Sequence, residues 1–283
     1  MNGKVCLITG ATSGIGQVTA LELARMGATV VLLVRNRQRG EAVQQSITAQ
    51  TGNANVEVLV ADFTALESVR AAAEQFLSRY QRLDVLVNNA GLYVSTRQLS
   101  ADGCELTFAV NHLAPFLLTN LLLECMQASG AARIVNVSSG AHMAGSNKFN
   151  DLRAERGYNA FRAYADSKLA NVLFTYELAR RLEGQDVTAN CLHPGAVRTN
   201  FGAGATGIFG VFFNLARPFM LSPEQGAQTS IYLASSPEVA GISGKYFSNC
   251  RAQTSSPNSY DHTAQSRLWS LSEQLCGTLV DTK

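Results

Sequence analysis

The sequence predicts an α/β fold: a single domain on a doubly wound parallel sheet of about seven strands, with helices on both faces. Two patterns point there. Apolar runs of strand length alternate with segments of helical period, which is how a sheet comes to be wrapped by helices. The runs are also continuous in valine, isoleucine and leucine, not alternating with polar residues, which marks strands covered on both faces and therefore parallel. No repeat, low-complexity tract or linker breaks the chain, so one domain over residues 1–283 is expected.

The expected strands are KVCLIT from Lys4, TVVLLV from Thr29, NVEVLVA from Asn55, DVLVNN from Asp84, ARIVNVS from Ala132, DVTANCLH from Asp186 and GKYFS from Gly244. Between them lie helical patterns such as 65–80 and 160–182, each with apolar residues three and four apart. One stretch departs in composition. Residues 200–221 are rich in glycine and aliphatic or aromatic residues, and helix resumes after Ser222-Pro223, a good cap and first-turn proline.

Composition excludes several classes. The chain is 46% apolar and 16% charged with a net charge of +2, a globular balance with no general attraction to nucleic acid. The six cysteines form no C-x-x-C pair and no histidine cluster joins them, so no metal site is expected. Reduced, mostly buried thiols follow, and with them a cytoplasmic setting. The opening residues run straight into a short strand, too brief for a signal peptide or a membrane span. Asn136-Val137-Ser138 fits a glycosylation pattern, but it falls inside an expected buried strand.

Chemistry enters with VCLITGATSGIG. Gly10, Gly14 and Gly16 follow the first strand and open a helix. Gly10 permits a tight turn, Gly14 close approach of backbone to a pyrophosphate, and Gly16 close packing of helix on sheet. With Thr12, Ser13 and Ile15 they offer backbone N–H groups and a positive helix end to phosphates. Glycines alone also mark plain turns; their place at the first strand–helix junction favours a dinucleotide. Where an acid would hold a ribose 2′-hydroxyl stands Val34, followed by Arg35 and Asn36, with Arg37 close by. A guanidinium there can grip a 2′-phosphate, so NADP(H) is the expected cofactor, with Arg39 left to solvate the next helix.

The spacing T-G-x-x-x-G-x-G resembles the fingerprint of the short-chain dehydrogenases/reductases, and further segments match that family in order. VNNAG supplies Asn89, Ala90 and Gly91, lying along the cofactor. FAVNHLAPF supplies Asn111, RIVNVSSGAH supplies Ser139, and YADSK supplies Tyr164 and Lys168. LHPGAVRTN supplies Pro194, Gly195, Val197 and Thr199 on the nicotinamide side, and VLVADF supplies Asp62 and Phe63 near the adenine. The resemblance implies a Rossmann-type dehydrogenase. Tyr164 is its acid–base residue, Ser139 a hydrogen-bond donor to the reacting oxygen, Lys168 a cation that also binds the nicotinamide ribose, and Asn111 the holder of a relay water. Tyr164 and Lys168, four apart, share a helix face. A free phenol titrates near 10, too high for neutral acid–base work, so two positive charges, Lys168 and an oxidised nicotinamide, are expected together to lower it. His142 and His193 are expected to pack or bond locally.

Residues 200–222 read either as a lid over a lipophilic substrate or as an apolar helix completing the core. Phe149, Tyr158 and Phe161 are expected to add to the pocket. The tail segments resemble the retinol dehydrogenase-like branch, which implies interconversion of a lipophilic aldehyde or ketone with its alcohol. Reduction of a carbon–carbon double bond and non-catalytic NADP sensing remain alternatives. Peripheral membrane contact and homo-oligomerisation stay open.

Overall fold

The computed structural model describes residues 1–198 and 220–277. The chain alternates strand and helix as expected: β1 (Val5–Thr9), α1 (Gly14–Arg25), β2 (Thr29–Val34), α2 (Arg37–Thr51), β3 (Val56–Val60), α3 (Leu66–Leu77) and β4 (Val85–Asn88). Then come α4 (Leu106–Ser129), β5 (Ala132–Val137), α5 (Ala160–Arg181), β6 (Val187–His193), α6 (Pro223–Ser235), β7 (Tyr246–Ser248), β8 (Arg251–Gln253) and α7 (His262–Cys276). The sheet order is β3-β2-β1-β4-β5-β6-β7-β8, and every pair up to β6–β7 is parallel. The order reverses between β1 and β4, which opens a crevice at the carboxyl ends of those strands.

The strand count is eight, not about seven. β8 returns antiparallel to β7 through a tight turn whose central residues, Asn249 and Cys250, have φ of 50° and 58°. All three β8 residues are exposed, so no apolar pattern announces the strand; only its bonds to β7 define it.

Side chains alternate across the sheet. Cys6, Ile8, Val30 and Leu32 face a core shared with α1, α2 and α6. Val5, Leu7, Val31 and Leu33 face the larger core under α3, α4, α5 and α7. α4 is long and apolar enough to cross a membrane, yet 78% of its most apolar window is buried inside the protein. It is the central core helix. Phe116, fully buried, meets Trp269 of α7 edge-on at 5.0 Å. After one α-turn capped by the Glu105 carboxylate, α4 widens into a π-turn over Ala109–Leu113; such bulges recur at functional sites.

All six cysteines are free, and five are buried. Asn136 is 2% exposed and bonded to Asn88 and Thr175, so the glycosylation pattern is a core feature. Ser222 caps α6 in a reciprocal box with Gln225, with Pro223 in the first turn, as the sequence predicts. Thr199 and residues 200–219 of the expected lid lie outside the described residues. Just before and after them, Val197 and Leu221 pair as an isolated parallel bridge.

Candidate active site

The crevice at the strand reversal is built by two interlocked loops. Gly10, at φ 65°, leaves β1 so close to the chain after β4 that an added Cβ would sit 2.9 Å from the Ala90 Cα. Thr9 Oγ1 accepts the N–H groups of Asn89 and Ala90 at 2.9 and 2.8 Å. Asn89 Nδ2 donates to Thr9 O and Gly10 O at 2.9 and 3.3 Å. A Cβ on Gly16 would fall 2.4 Å from Asn89 Nδ2 and 2.5 Å from Gly10 O. Gly14 also needs its positive φ, 58°, between Ser13 and Ile15.

α1 starts unusually bare. Its N-cap Ser13 makes no side-chain bond to the first turn, and no acid stands there. Free N–H groups at a positive helix end, beside a cradle that only glycines fit, suit a dinucleotide pyrophosphate. Gly16→Ala is expected to weaken nicotinamide dinucleotide binding about tenfold and to cost about 1–3 kcal/mol of stability, since overpacked sites shift backbone. Fluorescence titration with the reduced dinucleotide and thermal melting check both; unchanged affinity in a folded variant refutes the close-packing account.

At the end of β2, Val34 is buried and Arg35 exposed. Arg37 turns to Glu41 at 3.8 Å, whereas Arg35 has no ion pair among the described residues. Asn36 caps α2, accepting from Arg39 N at 2.9 Å. Asp62 Oδ1 accepts from Thr64 N at 3.0 Å, and the Phe63 side chain packs in the core. Downstream of β6, Pro194 is partly buried and Gly195 has φ 87° with Leu221 packed where a Cβ would stand. Val197 presses on Gly226 of α6.

Asn111, Ser139, Tyr164 and Lys168 gather at the carboxyl ends of β4 and β5. α5 brings Tyr164 and Lys168 to one face, with Nζ 5.8 Å from the phenol ring centroid. Lys168 is 4% exposed and donates to Val137 O at 3.0 Å. Ser138 Oγ donates to Lys168 O at 2.7 Å, tying helix to strand. The Ser139 hydroxyl bonds the Tyr164 hydroxyl. Asn111 Oδ1 accepts from Leu92 N at 2.8 Å, and its Nδ2 donates to Leu92 O and Ser167 Oγ, both at 3.0 Å. Ser167 Oγ in turn donates to Tyr164 O at 2.8 Å. The Asn111 side chain is thus a brace between the β4 loop and the Tyr164 turn. Gly91 completes the cluster: a Cβ there would lie 3.2 Å from Asn111 Oδ1 and 3.4 Å from Lys168 Nζ.

Both histidines act locally, as expected. His142 Nδ1 bonds Ser139 O at 2.7 Å and its Nε2 accepts from Ser256 N at 3.1 Å. His193 Nδ1 accepts from Gly140 N at 2.9 Å. Burial holds both below the usual histidine range, so both stay neutral supports of the serine loop. Ser167 is the support that the sequence reading missed, although its place inside YADSK, three residues after Tyr164, was a signal for it.

The phenol departs from expectation. Tyr164 keeps some exposed surface while its hydroxyl lies deep, and burial pushes it up to about 12, outweighing the bond from Ser139. Burial also drives Lys168 down to about 8. Removing water from both groups penalises both charged forms, so proximity of the cation alone does not make the phenol acidic.

Of the three expected pocket residues, Phe149 turns inward onto Phe108, centroids 6.0 Å apart. Tyr158 donates to Val94 O at 2.6 Å. Phe161 is 40% exposed, one turn before Tyr164.

Comparison with known proteins agrees with this fold. A family model described as short chain dehydrogenase matches residues 4–206. The chain is 45% identical to Retinol dehydrogenase 14 of Homo sapiens over 99% of this chain and 88% of that one. It is 45% identical to Retinol dehydrogenase 13 of Homo sapiens, covering 97% and 85%. Among solved structures it is similar to a protein of Mycobacterium paratuberculosis, TM-score 0.78 at 35% identity, over 98% of this chain and 94% of that one. A short chain dehydrogenase of Escherichia coli CFT073 complexed with NADPH gives TM-score 0.70 at 26% identity, over 87% and 96%.

Proposed function

Because the chain belongs to the short-chain dehydrogenase family, we propose that it is an NADP(H)-dependent oxidoreductase that interconverts a lipophilic aldehyde or ketone with its alcohol. One observation carries the proposal: the hydrogen-bonded Ser139–Tyr164 hydroxyl pair, with buried Lys168 behind it, opens beside a glycine cradle shaped for a dinucleotide. The residues that would hold the cofactor are Gly10 and Thr12–Gly16 at the pyrophosphate, Arg35 and Asn36 at the 2′-phosphate, and Asp62 and Phe63 at the adenine. Asn89–Gly91, Tyr164, Lys168, Pro194, Gly195, Val197 and Thr199 would hold the nicotinamide half. When bound, NADPH supplies the hydride that reduces the carbonyl carbon.

The chain's own groups manage the oxygen. Ser139 donates a hydrogen bond to the carbonyl oxygen and stabilises negative charge as it grows there. Tyr164 passes its proton to that oxygen, giving the alcohol. A phenol held at about 12 is protonated at neutral pH, the form that can donate to a carbonyl oxygen. Lys168, cationic below about pH 8, stabilises the phenolate left behind, and a relay water held at Asn111 returns a proton to Tyr164. Two similarities support a lipophilic substrate: the relatives named retinol dehydrogenases and the apolar composition of residues 200–221.

Oxidation of NADPH against a panel of lipophilic aldehydes and ketones tests the reaction, with the alcohol identified as product. A saturated carbon–carbon bond in place of a new hydroxyl overturns the carbonyl assignment. Arg35→Ala tests the cofactor. Loss of a charge-assisted contact worth about 1.5–3 kcal/mol should raise KM for NADPH roughly 10–100-fold and leave NADH within about twofold. Equal losses with both cofactors remove the phosphate contact.

A further inference from the structure

The loop after β4 carries a ring to which the proposed chemistry gives no task. Tyr93 lies against Tyr164, centroids 5.9 Å apart and planes at 70°. Its place is fixed from both sides. Before it, both backbone groups of Leu92 bond the Asn111 side chain, at 2.8 and 3.0 Å. After it, Val94 O accepts the Tyr158 hydroxyl at 2.6 Å. The segment that bears Tyr158 is itself strapped down: Glu105 N donates to Leu152 O at 2.7 Å, and Arg97 Nε donates to Arg153 O at 2.8 Å.

Loops beside active sites are commonly the mobile part of a fold. Here two independent clamps bracket one residue, and that residue is aromatic. Tyr93 is only partly buried, so its ring keeps surface next to the proposed proton donor. A ring already held in place needs no further ordering when a ligand arrives, which is where much binding energy is otherwise lost.

We propose that Tyr93 is a specificity-determining residue. It forms a fixed aromatic wall beside the reacting carbonyl and selects aldehydes and ketones conjugated to a planar unsaturated chain over saturated ones. The inference rests on Tyr164 as the proton donor. A conjugated chain is already flat and offers π surface along its length to the ring. A saturated chain must freeze rotors to lie as flat, and presents only C–H bonds.

The test compares trans-cinnamaldehyde with 3-phenylpropanal, which share a skeleton and differ by one carbon–carbon double bond. The readout is the ratio of their kcat/KM values at saturating NADPH. Tyr93→Leu should lower the conjugated-to-saturated ratio about fivefold, the effect of an aromatic contact of about 1 kcal/mol, mostly through KM. Tyr93→Phe, which keeps the ring, should hold the ratio within about twofold. Tyr158→Phe, which frees Val94, should move the ratio in the same direction as Tyr93→Leu by about twofold, through loss of pre-organisation. A ratio unmoved in Tyr93→Leu overturns the proposal; if that variant does not fold, an unmoved ratio in Tyr158→Phe does the same. Wild-type protein that turns over neither aldehyde, or that is indifferent to Tyr164→Phe, sinks the underlying reaction instead, so the two failures are distinct.

Discussion

Tyr164→Phe is expected to lower kcat/KM for a lipophilic aldehyde by about 10²–10⁴-fold, the usual contribution of a positioned acid. The NADPH dissociation constant should stay within about fivefold, since one lost hydrogen bond is worth about 1 kcal/mol. The phenyl ring preserves the contact with Tyr93 and the packing on α5, so folding should be intact. What disappears is the proton and the partner of the Ser139 hydroxyl. Steady-state rates with NADPH, alongside a binding titration of the same preparation, separate the two effects. Full turnover in a variant that binds NADPH normally removes Tyr164 as the acid.

Lys168→Met is expected to lose activity and gain stability. The ammonium is 4% exposed and faces no carboxylate among the described residues; it donates to the Val137 carbonyl. Burial holds it down at about 8, well below the ordinary lysine value of about 10.5. The folded value lies below the unfolded one, so folding disfavours the charged form. The resulting destabilisation is fully present below about pH 8, fades as pH rises, and is gone above about 10.5. Its size at neutral pH is roughly 3 kcal/mol. Methionine fills similar volume without charge, and Val137 O keeps a donor in Asn171 Nδ2 at 3.4 Å. The variant should therefore melt about 3–8 °C higher at pH 7, with the difference closing toward pH 10.5. Turnover should fall about 10²-fold or more, because the charge that stabilises the phenolate has gone. Reduction by the unmodified protein should decline above about pH 8 as Lys168 loses its proton. A variant melting lower than the wild type at pH 7 contradicts the buried-cation account, and unchanged turnover removes Lys168 from the chemistry.

Much of this was legible in the chain itself. The parallel strands appear as unbroken apolar runs because helices cover both faces, and the glycine loop is readable because its spacing is local. Tyr164 and Lys168 could be paired because four residues along a helix is one turn. β8 escaped because three exposed residues have no apolar signature. Phe149 was misjudged because an aromatic in an insertion looks the same whether it faces a cleft or a core.

What the sequence determined by itself is the order of elements and the identity of the chemical groups, since both follow from residue type and short-range spacing. What only the tertiary structure decided is how those groups behave. The brace from Asn111 to Leu92 and Ser167 spans 19 and 56 residues. The lock between Thr9 and Asn89 spans 80. The upward push on Tyr164 and the downward push on Lys168 come from water excluded by α4, α5 and the sheet together. Solvation is a property of everything packed around an atom, and no stretch of neighbouring letters contains it.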